Sequence, residues 1–209
     1  MNVSFPWEKD PQYYELDKRI RGNVTLVTID RCYVIYRAAA YAHSLPGEGC
    51  AAEVGVYKGG TSFLIGQHFK DRKVYMFDSF AGLPAVTTGV DLHHVGDFND
   101  VNFEAVKALC SEPCFEVRKG FFPDTATGLD DVKFAFVHLD ADLYQSTADG
   151  LKFFWPKMVP GGIFILDDFY WGHCPGVAKA TDEFCAATGA CAIPLPNCTA
   201  MIIKQPSPA

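Results

Sequence analysis

The sequence contains no apolar run long enough to cross a bilayer, which takes about 20 consecutive predominantly apolar residues. It also lacks a CxxC pair. Its eight cysteines (32, 50, 110, 114, 174, 185, 191 and 198) are scattered, and a chain of 209 residues can bury a substantial core without a disulfide framework. Reduced, mostly buried thiols are therefore expected, and with them a cytoplasmic location. Positive charge is scarce: 18 Lys and Arg stand against 25 Asp and Glu, for a net charge of −7. That balance argues against nucleic acid or an anionic membrane as the partner. The first ten residues, Met1 to Asp10, lack the basic and apolar regions of a secretory signal. No internal repeat and no linker interrupts the chain, so residues 1–209 read as one domain.

What is present is a chain with 49% hydrophobic and 14% aromatic residues and a mean hydropathy of +0.04, which suits a packed globular core with flat pockets. Its most informative stretch is Phe136-Val137-His138-Leu139-Asp140-Ala141-Asp142-Leu143-Tyr144. It begins as an apolar strand and ends in two carboxylates at alternate positions. Packing does not call for this, because an unpaired buried carboxylate is costly. Gly161-Gly162-Ile163-Phe164-Ile165-Leu166-Asp167-Asp168 repeats the design. In a parallel sheet both strands deliver their acids to one C-terminal edge, where open α/β sheets bind ligands. Asp140, Asp167 and Asp168 could then share one hard cation. The alternative is that Asp167-Asp168 caps the next segment while Asp140 pairs with a lysine.

The remaining pattern is that of a doubly wound, mostly parallel seven-stranded sheet with an antiparallel last strand. Residues 1–48 form a helical segment ahead of a Rossmann-like core at 49–205. Ile20, Leu26, Ile29, Cys32, Tyr33, Tyr36, Ala40 and Tyr41 recur at about helical spacing, and Thr28 is the expected N-cap of a helix running to Ser44. This helix either packs on the core or covers a cofactor with Thr28 or Arg31 reaching inward. A strand, Cys50–Val54, runs into the glycine turn Gly55-Val56-Tyr57-Lys58-Gly59-Gly60 and a helix starting near Ser62. Such a turn lets backbone approach a ligand and points helix N–H groups at it. Asp78 ends the next strand, 23 residues beyond Gly55, the spacing at which an acid can accept the hydroxyls of a ribose. Turn and acid together suit an adenosine-type cofactor, dinucleotide or S-adenosylmethionine (AdoMet). Residues 80–100 read as a lid loop, in which His93 and His94 are solvated or touch a ligand. Phe121 and Phe122 serve either the core or a wall for a purine ring. Ala190–Leu195 and Thr199–Lys204 around Pro196-Asn197-Cys198 read as a hairpin.

Several of these motifs, in this order, resemble the macrocin O-methyltransferase family. They are Glu53-x-Gly55 with Gly59-Gly60-Thr61-Ser62, Phe77-Asp78-Ser79-Phe80-x-Gly82-Leu83-Pro84, Gly120-x-Phe122-x-Asp124-Thr125, Asp140-x-Asp142-x-Tyr144-x-Ser146-Thr147, and Pro160-Gly161-Gly162 with Asp167-Asp168. The resemblance implies a class I methyltransferase that uses AdoMet and a divalent metal, Mg²⁺, on sugar hydroxyls of natural products. It implies that Glu53, Gly55, Tyr57 and Ser62 hold the methionine end of the cofactor. Asp78 would bind the ribose, and Ser79 with Gly120, Phe121 and Phe122 would flank the adenine. Asp140, Asp167 and Asp168 would hold the metal, with Asp140 also facing the cofactor. Asp142 occupies the general-base position of one branch of the family. Another branch uses a histidine one residue later, where this chain has Leu143. His93, His94, Trp171 and His173 are candidates for touching a small-molecule acceptor, a vicinal diol by preference, and a homodimer is the assembly considered.

Three other readings compete. A nicotinamide-dependent oxidoreductase fits the Gly55-to-Asp78 spacing but not the absence of G-x-G-x-x-G or the clustered acids. A non-catalytic AdoMet-binding module would have no use for those acids. A catechol-type O-methyltransferase usually offers asparagine where this chain has Asp168.

Overall fold

The computed structural model describes residues 4–206. Helix α1 (Pro11–Ile20) starts at Asp10, whose carboxylate accepts the Tyr13 N–H at 3.0 Å. Helix α2 (Ile29–Ser44) starts at Thr28, as its spacing suggests, although the Thr28 hydroxyl makes no capping bond. The buried stripe of α2 is Cys32, Ile35, Tyr36, Ala38, Ala39 and Ala42. The stripe expected from the sequence drifts from this at both ends. Leu26 precedes the helix and is exposed, and Tyr41 is exposed because it falls outside the buried stripe of α2.

The core alternates strands and helices: β1 (Cys50–Val54), α3 (Gly60–Gly66), β2 (Val74–Asp78), α4 (Phe103–Leu109), β3 (Phe115–Lys119), β4 (Phe134–Leu139), α5 (Tyr144–Phe154), β5 (Met158–Leu166), α6 (Pro175–Thr188), β6 (Ala192–Leu195) and β7 (Thr199–Ile203). The seven strands order as β3-β2-β1-β4-β5-β7-β6. β1 to β5 are mutually parallel, while β7 runs antiparallel to both β5 and β6. The expected doubly wound sheet with its terminal hairpin is what forms.

Alternation along each strand builds two apolar layers. Ala51, Met76, Phe136 and Ile165 face α2 and α3, whereas Ala52, Phe77, Val137 and Leu166 face the layer of α5 and α6. Both faces are covered, so the central strands read as unbroken apolar runs rather than alternating ones. The strand order reverses direction between β1 and β4. At this switch point Gly55 has φ +86°, and a Cβ there would lie 1.7 Å from the Asp140 carbonyl oxygen. Only glycine lets the chain leave β1 against the end of β4.

Residues 80–100 contain turns but no helix or strand, as expected. No disulfide forms among the described cysteines. Cys32, Cys110, Cys114 and Cys174 are buried, and Cys191 is exposed. No helix is long and apolar enough to cross a membrane.

Candidate active site

A cleft of about 620 Å³ opens along the C-terminal ends of β1 to β5, a volume within the range of small-molecule sites. Its floor comes from Gly55, Asp78, Asp140 and Asp142. Its walls come from Phe98 of the 80–100 segment, from the start of α2 and from the β6–β7 turn. Five of the seven non-glycine residues with positive φ in the described chain line it: Tyr57, Phe98, Asp142, Asp168 and Cys198. Backbone held in that region costs energy and tends to cluster where side chains must be aimed.

In the β1–β2 half, the Asp78 carboxylate organises two loops. Its Oδ2 accepts the N–H groups of Val56 (2.7 Å) and Tyr57 (2.8 Å), and its Oδ1 accepts that of Phe80 (2.6 Å). A carboxylate has about four lone-pair positions, so one stays free on the cleft side. The Ser79 hydroxyl donates to the Gly82 carbonyl at 2.8 Å. The Gly120 N–H donates to the Asp78 carbonyl at 2.9 Å, which brings the Gly120-Phe121-Phe122 turn beside β2. Phe121 is half exposed over the cleft, while Phe122 stacks on Phe154 with centroids 5.6 Å apart. The Tyr57 hydroxyl donates to Asp100 at 2.8 Å, joining the glycine turn to the end of the irregular segment.

Glu53 and Ser62 are placed differently from the other cofactor candidates. Both are fully buried and neither lines the cleft. The Ser62 hydroxyl donates to Glu53 Oε2, and Glu53 Oε1 lies 2.7 Å from His138 Nδ1. Glu53 thus sits one layer behind the cleft floor, matched on both oxygens by protein groups. The sequence reading gave His138 no role. Its period-2 relation to Asp140 is the signal that places both on the α2 side of the sheet.

In the β4–β5 half, four carboxylates meet one guanidinium. Arg31 Nη1 donates to Asp168 Oδ1 at 2.8 Å and lies 3.3 Å from Asp167 Oδ1, and its Nε donates to the Asn197 carbonyl at 2.7 Å. Asp167 Oδ1 is buried and, apart from this ion pair, has no hydrogen-bond partner among the described residues. Asp140, Asp142 and Asp168 each offer an oxygen within 4.8 Å of the others, and a second set, at the same spacing, joins a ring nitrogen of His138 to oxygens of Asp140 and Asp167. Asp140 belongs to both sets, while the adjacent Asp167 and Asp168 fall in different ones. Burial and the charges of Asp167, Asp142 and Asp168 push the Asp140 carboxyl well above the usual range. Burial, then the Asp168 charge, pushes Asp142 up to about 8. Burial raises Asp167 to about 6 against the pull of His138 and Arg31. Burial opposes the charge on Arg31, but Asp167 and Asp168 outweigh it and hold the guanidinium charged. One cation is too little for this set. A buried carboxylate oxygen held only by its ion pair with Arg31, among other hard donors, is what a divalent ion of the Mg²⁺ type would satisfy.

The suspected acceptor residues separate. Trp171 lines the cleft, and His93 is half-buried beside Asp142 through Cys174. His94 and His173 are exposed. Cys174, Asn197 and Cys198 went unread in the sequence, because nothing local marks a residue that reaches the site from a turn or a helix start.

Known proteins resemble this chain over most of its length. The family described as Macrocin-O-methyltransferase (TylF) matches residues 23–198. The 8-demethyl-8-(2,3-dimethoxy-alpha-L-rhamnosyl)-tetracenomycin-C 4'-O-methyltransferase of Streptomyces olivaceus is 33% identical, over 64% of this chain and 57% of that protein. The demethyldecarbamoylnovobiocin O-methyltransferase of Streptomyces niveus is 32% identical, over 68% of this chain and 59% of that protein. The chain therefore spans less than two thirds of the length of these relatives. The solved structure of the O-methyltransferase NovP superposes with a TM-score of 0.76 at 26% identity, covering 88% of this chain and 84% of that one.

Proposed function

The chain belongs to the macrocin O-methyltransferase family, and from that premise we propose that it transfers a methyl group from AdoMet to a hydroxyl of a small molecule, with Mg²⁺ at its acid cluster. The observation that carries the reading is the convergence of Asp140, Asp142 and Asp168 within 4.8 Å in a cleft whose other half is a glycine turn fixed by Asp78. When bound, AdoMet supplies a methyl on a cationic sulfur, and the metal supplies Lewis-acid polarisation of an acceptor oxygen.

This chain's own residues do the rest. Asp78 rigidifies both flanking loops and keeps a lone-pair position for a ribose hydroxyl. Phe121 and Phe122 offer a flat apolar wall for an adenine. Asp140 and Asp168 would hold the metal together with Asp142 or, through Asp167, on the His138 side. Asp142 stands off the end of β4 with φ 58° and lines the cleft, where it is placed to take the proton of the attacking hydroxyl. Holding oxygen, carbon and sulfur in line contributes about 7–11 kcal/mol to such a transfer. A vicinal diol suits the acid cluster because two adjacent oxygens can chelate one ion. The names of the relatives, which act on glycosylated natural products, favour a sugar diol in such a compound.

Calorimetric titration tests the reading. AdoMet should bind the wild type, and Mg²⁺ should then bind the AdoMet complex. Asp168→Ala should keep the first event and lose the second. AdoMet binding with no metal event in the wild type removes the metal-assisted part. Absence of AdoMet binding overturns the whole.

A further inference from the structure

Beside the acid cluster lies a group of different chemistry. Cys174 begins α6 and is 2% exposed. Its Sγ lies 3.5 Å from His93 Nε2 and 3.6 Å from Asp142 Oδ1. One atom from each of the three residues falls within 4.8 Å of the others. A tetrahedral zinc ion with Zn–S of about 2.3 Å, Zn–N of about 2.0–2.1 Å and Zn–O of about 2.0–2.2 Å sets S···N and S···O edges of about 3.5–3.6 Å. Both sulfur edges already have those lengths.

A second observation concerns the far side of the imidazole. His93 Nδ1 lies 3.2 Å from Asp97 Oδ2. A carboxylate on one ring nitrogen fixes the tautomer that leaves the other nitrogen free to bind a metal. The segment carrying His93 is itself fastened: Asp91 Oδ1 accepts the Tyr144 N–H at 2.9 Å, at the start of α5. That contact fits closely against Gly176, where a Cβ would come within 2.2 Å of the same oxygen.

We propose that His93, Asp142 and Cys174 form a second cation site, selective for a thiophilic divalent ion of the Zn²⁺ type. Its thiolate and imidazole donors are those that Mg²⁺ does not favour. The Cys174 proton leaves to solvent as the ion binds. Three protein ligands leave the ion one position for water. Occupancy ties residues 80–100 to the end of β4 and engages Asp142. The consequence for catalysis, inhibition of methyl transfer by Zn²⁺, rests on the function proposed above; the site itself does not.

The test is a Co²⁺ titration of the protein without AdoMet or acceptor, following the cobalt–thiolate charge-transfer band. Because the band requires no turnover, it succeeds or fails independently of the methyltransferase reading. The wild type should show the band at one equivalent of Co²⁺. Zn²⁺ should abolish it, and Mg²⁺ should not. Cys174→Ser should lose it, while Cys198→Ser, which alters the thiol that lines the cleft, should keep it. His93→Gln should bind Co²⁺ at least about tenfold more weakly, and Asp97→Asn about tenfold more weakly. Circular dichroism of each variant establishes that it is folded. No band in the wild type, a band retained in Cys174→Ser, or unchanged affinity in folded His93→Gln overturns the proposal and leaves a hydrogen-bonded cluster only.

Discussion

Two groups of buried carboxylate lie on the same side of the sheet and follow opposite rules. Glu53 is fully buried, and both its oxygens are matched, one by Ser62 and one by His138. Of the acids at the ends of β4 and β5, Asp167 and Asp168 share Arg31, and Asp167 Oδ1 has no partner beyond that ion pair among the described residues. The Glu53 carboxylate is matched and ties β1, α3 and β4 together, while His138 Nε2, on the far side of the ring, is buried without a partner among the described residues and belongs with Asp140 and Asp167. The second lines a cleft and lacks positive charge. A buried carboxylate matched on both oxygens rigidifies a fold, whereas a shortfall at a cleft marks a place where a ligand completes it.

The strongest way to sharpen that contrast is Asp142→Asn. Formation of S-adenosylhomocysteine with a vicinal-diol acceptor should fall about 10²–10⁴-fold. The melting temperature should hold or rise, because one of the mutually repelling acids is gone. A loss of stability in parallel with activity would assign Asp142 to the scaffold. Next in size is Glu53→Ala. It should cost about 1–3 kcal/mol for each of the two partners left unmatched, read by chemical denaturation, while AdoMet affinity changes less. The contrast breaks if stability holds and AdoMet binding disappears, since Glu53 would then be a direct cofactor ligand, as the family resemblance implies.

Arg31→Ala should act in a smaller but diagnostic way. With the resident cation removed, Mg²⁺ should raise the melting temperature more than it does in the wild type. A smaller rise would make Arg31 a partner of the metal rather than its stand-in.

The smallest effect belongs to His68, which packs on Tyr36 with centroids 4.3 Å apart and whose Nε2 is buried without a partner. Burial holds its pKa below the ordinary 6.5. Protons therefore bind the unfolded chain first. The stability is fully present above about 6.5 and declines as pH falls below it. His68→Phe should flatten that part of the stability profile.

The sheet and its acids were legible because their signals are local. An apolar run ending in Asp140 or Asp167 carries both the strand and its exit in a few residues. Gly55 and Asp78 were legible as a spacing, and both line the cleft. Glu53 shows the limit of that reading. A position in the last turn of β1 does not reveal whether the side chain faces the cleft or the layer beneath it, and the His138 partner lies 85 residues away. Cys174, Asn197 and Cys198 were illegible for a related reason. Asn197 and Cys198 belong to a turn that only the return of the chain through α6 and the hairpin carries to the cleft, and Cys174, the residue before α6, meets Asp142 through the loop that follows β5. Leu26 was misplaced because apolar spacing continues across the Thr28 N-cap into residues that precede the helix.

The Arg31 anchorage also has a place in time. Its partners Asp168 and Asn197 follow it by 137 and 166 residues. At a ribosomal pace of about 5–20 residues per second, Arg31 waits about 8–33 s for the second of them. The strands on which α2 packs, β4 and β5, emerge within that interval, and until the β6–β7 turn follows them Arg31 lacks its Asn197 partner. The hairpin of β6 and β7, made after the five parallel strands, then closes the site.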